Sequence, residues 1–314
     1  MTLLIRKPGI ITTVQDIGRT RSRSLGINQN GVMDRAAVRI INTLLDNDEN
    51  EAVLEMHFPS AEIEFQHKSS FAIGGADFAA TVDETPVGNW SSFNVGPGDV
   101  LRFTKPASGS RVYLAAAGGL AIDDWLGSQS TNLTAAAGGF NGRKLQAGDQ
   151  IELRSPRTVK PRSIGPSLLP KYSRFPTVRV VPSGEFDLLT AISERDFLNN
   201  GFTVTNDSNR MGFRLSGPPL HLLYRKEMVS AAVTFGTIQL LPDGHLIVLM
   251  ADHQTSGGYP RIANVISADL PLVAQLGPRD GVSFHRVPIE DAEQAAAHFE
   301  QELCRLRTGI RLLG

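Results

Sequence analysis

Short alternations of apolar and polar residues, separated by turn residues, run through most of the chain. A period of two residues predicts β-strands with one buried face, so we expect a mostly β protein. One pattern occurs three times, at 95–103, 145–153 and 276–284: a turn that contains Gly and Asp leads into a short alternating strand. The Asp can close this turn through its own side chain. The recurrence in both halves predicts two related β domains.

Few segments show the helical period. Asp34 is predicted to cap a helix that buries Ile41, and Ser183 is predicted to cap a second one. The clearest helical pattern follows Pro288, where acidic residues at the start and arginines at the end match the helix dipole, and Gly309 is the expected stop. The inward positions of the last two helices are expected to be Phe186, Leu189, Phe197, Ala292, Ala296, Phe299, Leu303 and Leu306.

Proline is concentrated in one internal stretch, 158–176, with Arg and Ser between the prolines. Proline fixes φ and removes a backbone donor, so this stretch is unsuited to both helix and sheet. We therefore expect a linker here, with one β domain over residues 1–165 and a second, which carries the terminal helix, over residues 166–314.

Composition narrows the partners and the compartment. The chain has 314 residues, with 31 Lys+Arg against 32 Asp+Glu and a net charge of -1. We expect no nucleic-acid partner and no anionic-membrane partner, since both require a basic excess. Cys304 is the only cysteine, which excludes a disulfide framework and a multi-cysteine metal site. No metal site is expected, and the lack of a signal-like start predicts a cytoplasmic protein.

The densest polar cluster, at 251–261, directly follows the apolar run 246–251. A strand that leads into polar residues and a Gly pair is typical of a ligand loop on a rigid scaffold. Asp252 is a candidate base or acceptor and His253 a candidate acid or base. Gly257 and Gly258 permit a close backbone approach or a positive φ. The other candidates for substrate contact in this loop are Gln254, Thr255, Tyr259 and Arg261.

Two further segments place polar residues at the ends of apolar strands. Gln15 and Asp16 precede a glycine, which fits either a site or an Asx-type turn at a strand end. Arg210 leads a strand, where its guanidinium could clamp a carboxylate or a phosphate, or pair with a structural acid. The residues alone do not decide between these alternatives.

Several motifs resemble the KipA, or allophanate-hydrolase-subunit-2-like, family, whose members include the C subunits of 5-oxoprolinases and biotin-dependent carboxyltransferase-like proteins. The resemblance covers about residues 5–286. The matching stretches are PGIITTVQDIG at 8–18, GVMD at 31–34, GGAD at 74–77, NRMG at 209–212, GTIQ at 236–239, and ADHQTSGGYPRIANVISADLP at 251–271.

This resemblance implies two cyclophilin-like β-barrel domains and a KipI-like partner, which is the B subunit of 5-oxoprolinase. Together with a third component, the A subunit, such a complex opens 5-oxo-L-proline to L-glutamate at the expense of ATP. Two alternatives stay open. One is a carboxyltransferase-type subunit that acts on urea or a similar small amide with biotin as the carrier. The other is a regulatory protein that antagonises a KipI-like kinase inhibitor.

The resemblance also focuses the candidate site. Arg210 is expected to clamp a carboxylate or phosphate, and Asp252 to act as a base or an orienting acid. Hydrogen bonds to the substrate are expected from Gln15, Gln239, Gln254 and Thr255. Arg261 stands where the family often has Lys, which keeps the charge and changes its geometry.

Overall fold

The structure is a computed structural model that describes residues 2–165, 168–224 and 228–313. Contacts divide the chain into two units. The first contains Met1–Arg21, Asn30–Lys171 and Gln301–Gly314, and the second contains Ser22–Gln29 and Tyr172–Glu300. The limit predicted between residues 165 and 166 adjoins residues 166–167, which lie outside the described residues. The predicted domains 1–165 and 166–314 stay a prediction.

The first unit is built on two antiparallel sheets. One is six-stranded, in the order β11-β1-β4-β9-β6-β7, and the other is five-stranded, in the order β2-β3-β10-β5-β8. The strands are β1 Thr2–Lys7, β2 Thr12–Gln15, β3 Val53–Met56, β4 Glu62–Phe65, β5 Ser69–Asp77, β6 Ala80–Val82, β7 Thr85–Pro86, β8 Ser91–Val95, β9 Val100–Phe103, β10 Ser108–Ala116 and β11 Gln150–Glu152.

The alternation of side chains between the two faces of each strand explains the core of this unit. Ile5 and Ile63 from the six-stranded sheet and Leu54 and Leu114 from the five-stranded sheet belong to one buried apolar cluster. The opposite faces of β2, β3 and β10 are also buried and contain polar side chains, among them Gln15, Glu55 and Tyr113, and this second face becomes important below.

Helix α1, Arg35–Leu44, packs on β5: a Cβ atom at Gly74 would lie 2.5 Å from Ile41 Cγ2. Asp34 is its N-cap, as predicted, and accepts a hydrogen bond from Ala37 N at 2.9 Å.

The second unit contains a closed barrel in the order β12-β19-β16-β17-β14-β13-β20, with the parallel pair β12 and β20 closing the circle. Two short strands of the same unit, β15 and β18, pair with each other in a separate antiparallel ribbon. The elements are β12 Thr177–Pro182, α2 Ala191–Asn199, β13 Gly201–Val204, β14 Gly212–Ser216, β15 Ala231–Ala232, β16 Thr237–Leu240, β17 Leu246–Leu249, β18 Ser256–Gly257, β19 Arg261–Val265, α3 Leu270–Ala274, β20 Gly281–Arg286 and α4 Ile289–Leu313. The mostly β prediction, with few short helices and a C-terminal helix, is confirmed.

The three repeated turns have the closure predicted from the sequence. Asp99 accepts from Gly96 N at 2.7 Å, Asp149 from Gln146 N at 2.7 Å, and Asp280 from Gly277 N at 2.9 Å, each through its carboxylate. Each turn leads directly into a strand, respectively β9, β11 and β20. The repeat is therefore a structural device that sets strand starts.

Two helix-end predictions are wrong. Ser183 does not cap a helix, because its hydroxyl accepts from Asn264 Nδ2 at 2.7 Å instead; α2 begins later, and Thr190 is its cap. Phe186 and Phe197 are nevertheless buried as predicted. Gly309 does not end α4, which continues to Leu313, since this glycine lacks the left-handed φ that a stop of this kind requires.

None of the described helices combines the length and the apolar character that a membrane crossing requires.

Candidate functional site

The loop after β17 is held by a bidentate ion pair. Arg210 Nε lies 2.9 Å from Asp252 Oδ2, and Arg210 Nη2 lies 2.9 Å from Asp252 Oδ1. Each side chain is only 11% exposed. The backbone adds a further bond, from Asp252 N to Arg210 O at 2.8 Å. The structure thus joins the two residues predicted as clamp and base to one another, which is the ion-pair alternative left open for Arg210.

His253 and the residues after it divide into a buried and an accessible part. The His253 ring is 1% exposed, and its Nδ1 bonds to the carbonyl of Gln254. Because a carbonyl only accepts, Nδ1 carries the proton in this bond. Gln254 and Thr255 are half-buried, while Gly258 and Tyr259 are exposed. The accessible part of the loop therefore begins after His253.

Gly257 packs closely against the Gln239 side chain. A Cβ atom there would lie 2.6 Å from Gln239 Nε2, and neither Gly257 nor Gly258 has a positive φ. The buried Gln239 side chain also donates to Tyr259 O at 3.3 Å. Gln239 thus packs against the Gly-Gly segment and bonds to the residue after it. The close backbone approach, and not a positive φ, explains Gly257.

Arg261 is held by a second bidentate pair. Its Nε lies 3.1 Å from Glu185 Oε2, and its Nη2 lies 2.8 Å from Glu185 Oε1. This hydrogen bonding by Glu185 raises the pKa of Arg261 above its ordinary value. Arg261 Nη1 also donates to Ala232 O at 3.3 Å. The guanidinium therefore links the start of β19 to the β15 ribbon.

A chain of polar side chains that was not predicted lies next to Arg261. Thr237 Oγ1 donates to Asn264 Oδ1 at 2.8 Å, and Asn264 Nδ2 donates to Ser183 Oγ at 2.7 Å. Thr234 Oγ1 lies 3.1 Å from Thr237 Oγ1. These residues line a concavity of about 300 Å³ together with Gly184, Ala232 and Arg261. The cross-strand pairing of Thr237 with Asn264, in β16 and β19, creates it.

The segment Ser22–Gln29 belongs to the second unit by its contacts. Asn28 Nδ2 donates to Asp252 O at 3.0 Å, and Arg23 Nη2 donates to Val233 O. Residues from early in the sequence thus support both the Asp252 loop and the residue between β15 and Thr234.

Gln15 and Asp16 belong to the first unit. Asp16, 3% exposed, accepts from Ser128 Oγ at 2.6 Å, Gln129 N at 2.7 Å and Gly18 N at 2.7 Å, and also from Ser130 Oγ. The carboxylate is thus engaged by the protein itself. This contact set favours the Asx-turn alternative for Asp16.

Gln15 is fully buried, and its Nε2 donates to Thr13 Oγ1 at 3.2 Å and to Thr131 O at 3.1 Å. Among the described residues, its Oε1 has no hydrogen-bond donor. The remaining predicted site residues, from Arg210 to Arg261, all belong to the second unit.

The polar face of the five-stranded sheet contains a second unpredicted cluster. Tyr113 OH donates to Glu55 Oε2 at 2.9 Å and accepts from Asp34 N at 3.0 Å, while Met33 N donates to Glu55 Oε2 at 2.8 Å. Burial, with repulsion from Glu55, raises the pKa of Tyr113 well above its ordinary value. The pair holds the backbone of the GVMD motif, so this motif is explained by structure.

Replacing Tyr113 by Phe should lower the free energy of unfolding by about 1–3 kcal/mol at pH 7, because buried Glu55 loses a donor. It should also flatten the pH dependence at alkaline pH. The raised pKa keeps folded Tyr113 protonated, whereas the unfolded phenol ionises from about pH 10, so wild-type stability is full below that pH and falls above it. Urea unfolding at pH 8 to 11 measures this.

Tyr259→Phe is the matched control, because Tyr259 is 45% exposed. We expect its alkaline slope to equal that of wild type. An equal alkaline slope in Tyr113→Phe and wild type would contradict the assignment of a shifted pKa to Tyr113.

Comparison with known proteins gives consistent matches. A model of the family described as carboxyltransferase domain, subdomain A and B, matches residues 25–286. The protein of Haemophilus influenzae that is named as the C subunit of 5-oxoprolinase is 36% identical over 295 residues, which are 94% of this chain and 94% of the relative. One of the same name from Escherichia coli is 35% identical over 308 residues, or 97% and 98% of the two chains.

Among solved structures, the K. lactis urea amidolyase contains a matching region with a TM-score of 0.91 and 26% identity. The match covers 97% of this chain but 20% of that one, so this chain spans about a fifth of urea amidolyase. The family model and both full-length relatives agree, and the chain belongs to the family of the carboxyltransferase domain, subdomains A and B.

Proposed function

We propose that this chain is the C subunit of an ATP-dependent 5-oxoprolinase that opens 5-oxo-L-proline to L-glutamate. The observation that carries the proposal is the nearly end-to-end match to two relatives that bear the name of this subunit. Such a component works with others. We propose that its partners are a KipI-like protein, as the B subunit, together with the A subunit, in agreement with the motif resemblance. Activity is then expected only in their complex.

The predicted site of this chain does not fit a triphosphate. Both of its arginines, Arg210 and Arg261, are held by carboxylates. The sequence also contains no glycine-rich loop of the G-x-x-x-x-G-K-[ST] type. We therefore assign ATP to another subunit, where it would supply the activation that an unstrained lactam needs. The contribution of this chain is to bind and orient the amide.

Within this chain, the loop 251–261 is the proposed substrate-facing element. Its accessible residues Gln254, Thr255, Gly258 and Tyr259 are proposed to contact the substrate. The Arg210–Asp252 pair and buried His253 and Gln239 are proposed to fix the loop. This changes the roles expected for Arg210 and Asp252, since both carboxylate oxygens of Asp252 already accept hydrogen bonds from the Arg210 guanidinium.

Reconstitution tests the proposal directly. The chain is coexpressed with the KipI-like protein and the third protein of the complex, and glutamate release from 5-oxoproline is measured with and without ATP. We expect release only when ATP and all three proteins are present. A stable three-protein complex that releases no glutamate from 5-oxoproline would refute the proposal.

A carboxyltransferase-type role is the second candidate, and the high structural similarity to part of the K. lactis urea amidolyase favours it. In that case the same complex would act on urea or another small amide, with a biotin-carrying partner. Avidin, which captures biotin, should then abolish turnover, whereas glutamate release by an oxoprolinase should be unaffected. If neither turnover occurs while the KipI-like partner binds tightly, a regulatory role is favoured.

A further inference from the structure

The polar chain next to Arg261 has a defined hydrogen-bond direction. The single hydroxyl hydrogen of Thr237 is used on Asn264 Oδ1, so Thr234 Oγ1 must be the donor to Thr237 Oγ1. Asn264 Nδ2 gives one hydrogen to Ser183 Oγ. The Ser183 hydroxyl hydrogen and the second Asn264 amide hydrogen have no acceptor in the part of the chain that the structure describes.

This surplus of donors does not depend on how the amide is oriented. If the Asn264 amide is turned over, Ser183 donates to its oxygen and Thr237 accepts from its nitrogen. The Thr234 hydroxyl hydrogen is then released instead, and the amide still retains one unused hydrogen. In both orientations the network ends with one hydroxyl donor and one amide donor.

The network ends at an accessible surface. Thr237, at its centre, is 2% exposed, whereas Ser183 and Asn264 are half-buried and Gly184 is exposed. The concavity that they line, about 300 Å³, lies at the lower limit of small-molecule sites. The centre of this hydrogen-bond network is buried, and its hydrogen-bond donors lie at the accessible end. This arrangement is typical of a preorganised recognition site, because the hydrogen bonds within the network hold the donor side chains in place.

The charge of the residues that line the concavity favours an uncharged carbonyl ligand over a carboxylate. The only charged side chain that lines the concavity among the described residues is Arg261, and Glu185 neutralises it bidentately. A carboxylate ligand would have to compete with Glu185 for this guanidinium. An uncharged carbonyl needs only the hydroxyl and amide donors.

We propose that this concavity binds the carbonyl group of a small uncharged amide, either a lactam or a ureido group. Ser183 and Asn264 donate to the carbonyl oxygen, and the Thr234 hydroxyl oxygen accepts from the amide N–H. The inference deepens the proposed function, on which it rests for the identity of the amide as a lactam. The concavity is then the place where this subunit holds the reacting amide bond.

The test is a titration of the full chain followed by ¹H–¹⁵N NMR, with the backbone amides of Gly184 and Thr237 and the side-chain amide of Asn264 as reporters. The probes are 2-pyrrolidinone for a lactam, 2-imidazolidone for a ureido ring and acetate for a carboxylate. We expect saturable shifts with at least one of the uncharged amides and none with acetate. Tighter binding of 2-pyrrolidinone would identify the ligand as a lactam, and tighter binding of 2-imidazolidone would identify it as a ureido group.

Two variants test the donors. Asn264→Asp removes the amide hydrogens and Ser183→Ala removes the hydroxyl, and each should weaken amide binding by about tenfold or more. Asn206→Asp is the matched control, since Asn206 is a turn residue of the same unit, outside the concavity, and carries the same charge change. Its affinity should equal that of wild type. Ser183→Ala keeps the test valid if Asn264→Asp does not fold.

Acetate binding as strong as amide binding, or unchanged amide binding in folded Ser183→Ala, would overturn the inference. Glutamate release by the complex is measured separately. Release without amide binding at these reporters overturns the inference and leaves the proposed function intact. Amide binding here without glutamate release supports the concavity and refutes the proposed function.

Discussion

Replacing Asp252 by Asn should lower the free energy of unfolding by about 3–5 kcal/mol, because it leaves the Arg210 guanidinium without its bidentate partner in a site from which water is largely excluded. We also expect it to abolish most of the glutamate release by the complex, since the loop that Asp252 fixes would lose its position. Urea unfolding of the chain and the coupled glutamate assay measure the two effects.

The double variant Arg210→Met with Asp252→Leu separates stability from function. Removing both charges should restore the free energy of unfolding to within about 1 kcal/mol of wild type, because no unpaired charge is left. Activity should recover only if the pair is purely a scaffold. Glu194→Gln is the control, since its ion pair with Arg286 is exposed and should contribute about 0–1 kcal/mol. Equal effects of Asp252→Asn and Glu194→Gln would contradict the structure.

Replacing Asp16 by Ala should lower the free energy of unfolding by about 3 kcal/mol or more, because four donors lose one acceptor in a buried site. The backbone N–H groups of Gly18 and Gln129 cannot turn to other partners. In the fraction of the complex that still assembles, fewer molecules should be active. The maximal rate of glutamate release should therefore fall, while KM stays unchanged. Thermal unfolding and Michaelis–Menten analysis together measure this.

Asp48→Ala serves as the control for Asp16, since Asp48 accepts a hydrogen bond from Asn50 N at 2.9 Å in an exposed turn. We expect it to cost no more than about 1 kcal/mol. If Asp16→Ala were as stable as wild type but raised KM strongly, Asp16 would be a substrate ligand, as the sequence had suggested.

Local patterns predicted those features whose causes are local. The Asp-closed turns and the Asp34 cap each depend on residues within a few positions of one another. Side-chain chemistry at short range is visible in one sequence, because the same residues both encode the feature and form it.

The features that sequence patterns missed depend on distant partners. Ser183 and Asn264 are 81 positions apart, and each is an ordinary polar residue near a strand end until the barrel brings them together. The same reason explains the error over the Ser183 cap. A serine followed by apolar residues fits a helix start, and nothing nearby in the chain indicates that its hydroxyl bonds to a residue of β19.

Arg210 shows the limit most clearly. A clamp for a ligand and a partner for a structural acid require the same side chain at the same place, so the pattern could not separate them. The decisive fact is which carboxylate lies within reach, and Asp252, 42 positions away, does.

The two contact units interleave along the chain, and this has a consequence for how the protein forms during synthesis. The second unit takes up Ser22–Gln29, which are synthesised before the rest of that unit, and the first takes up Gln301–Gly314, which are synthesised after the second unit. Leu303 and Ile310 are buried, so the first unit lacks these core side chains until residues 301–314 have been synthesised. Although domains usually fold as units in the order of their synthesis, the first unit here cannot be completed before the second unit has been synthesised.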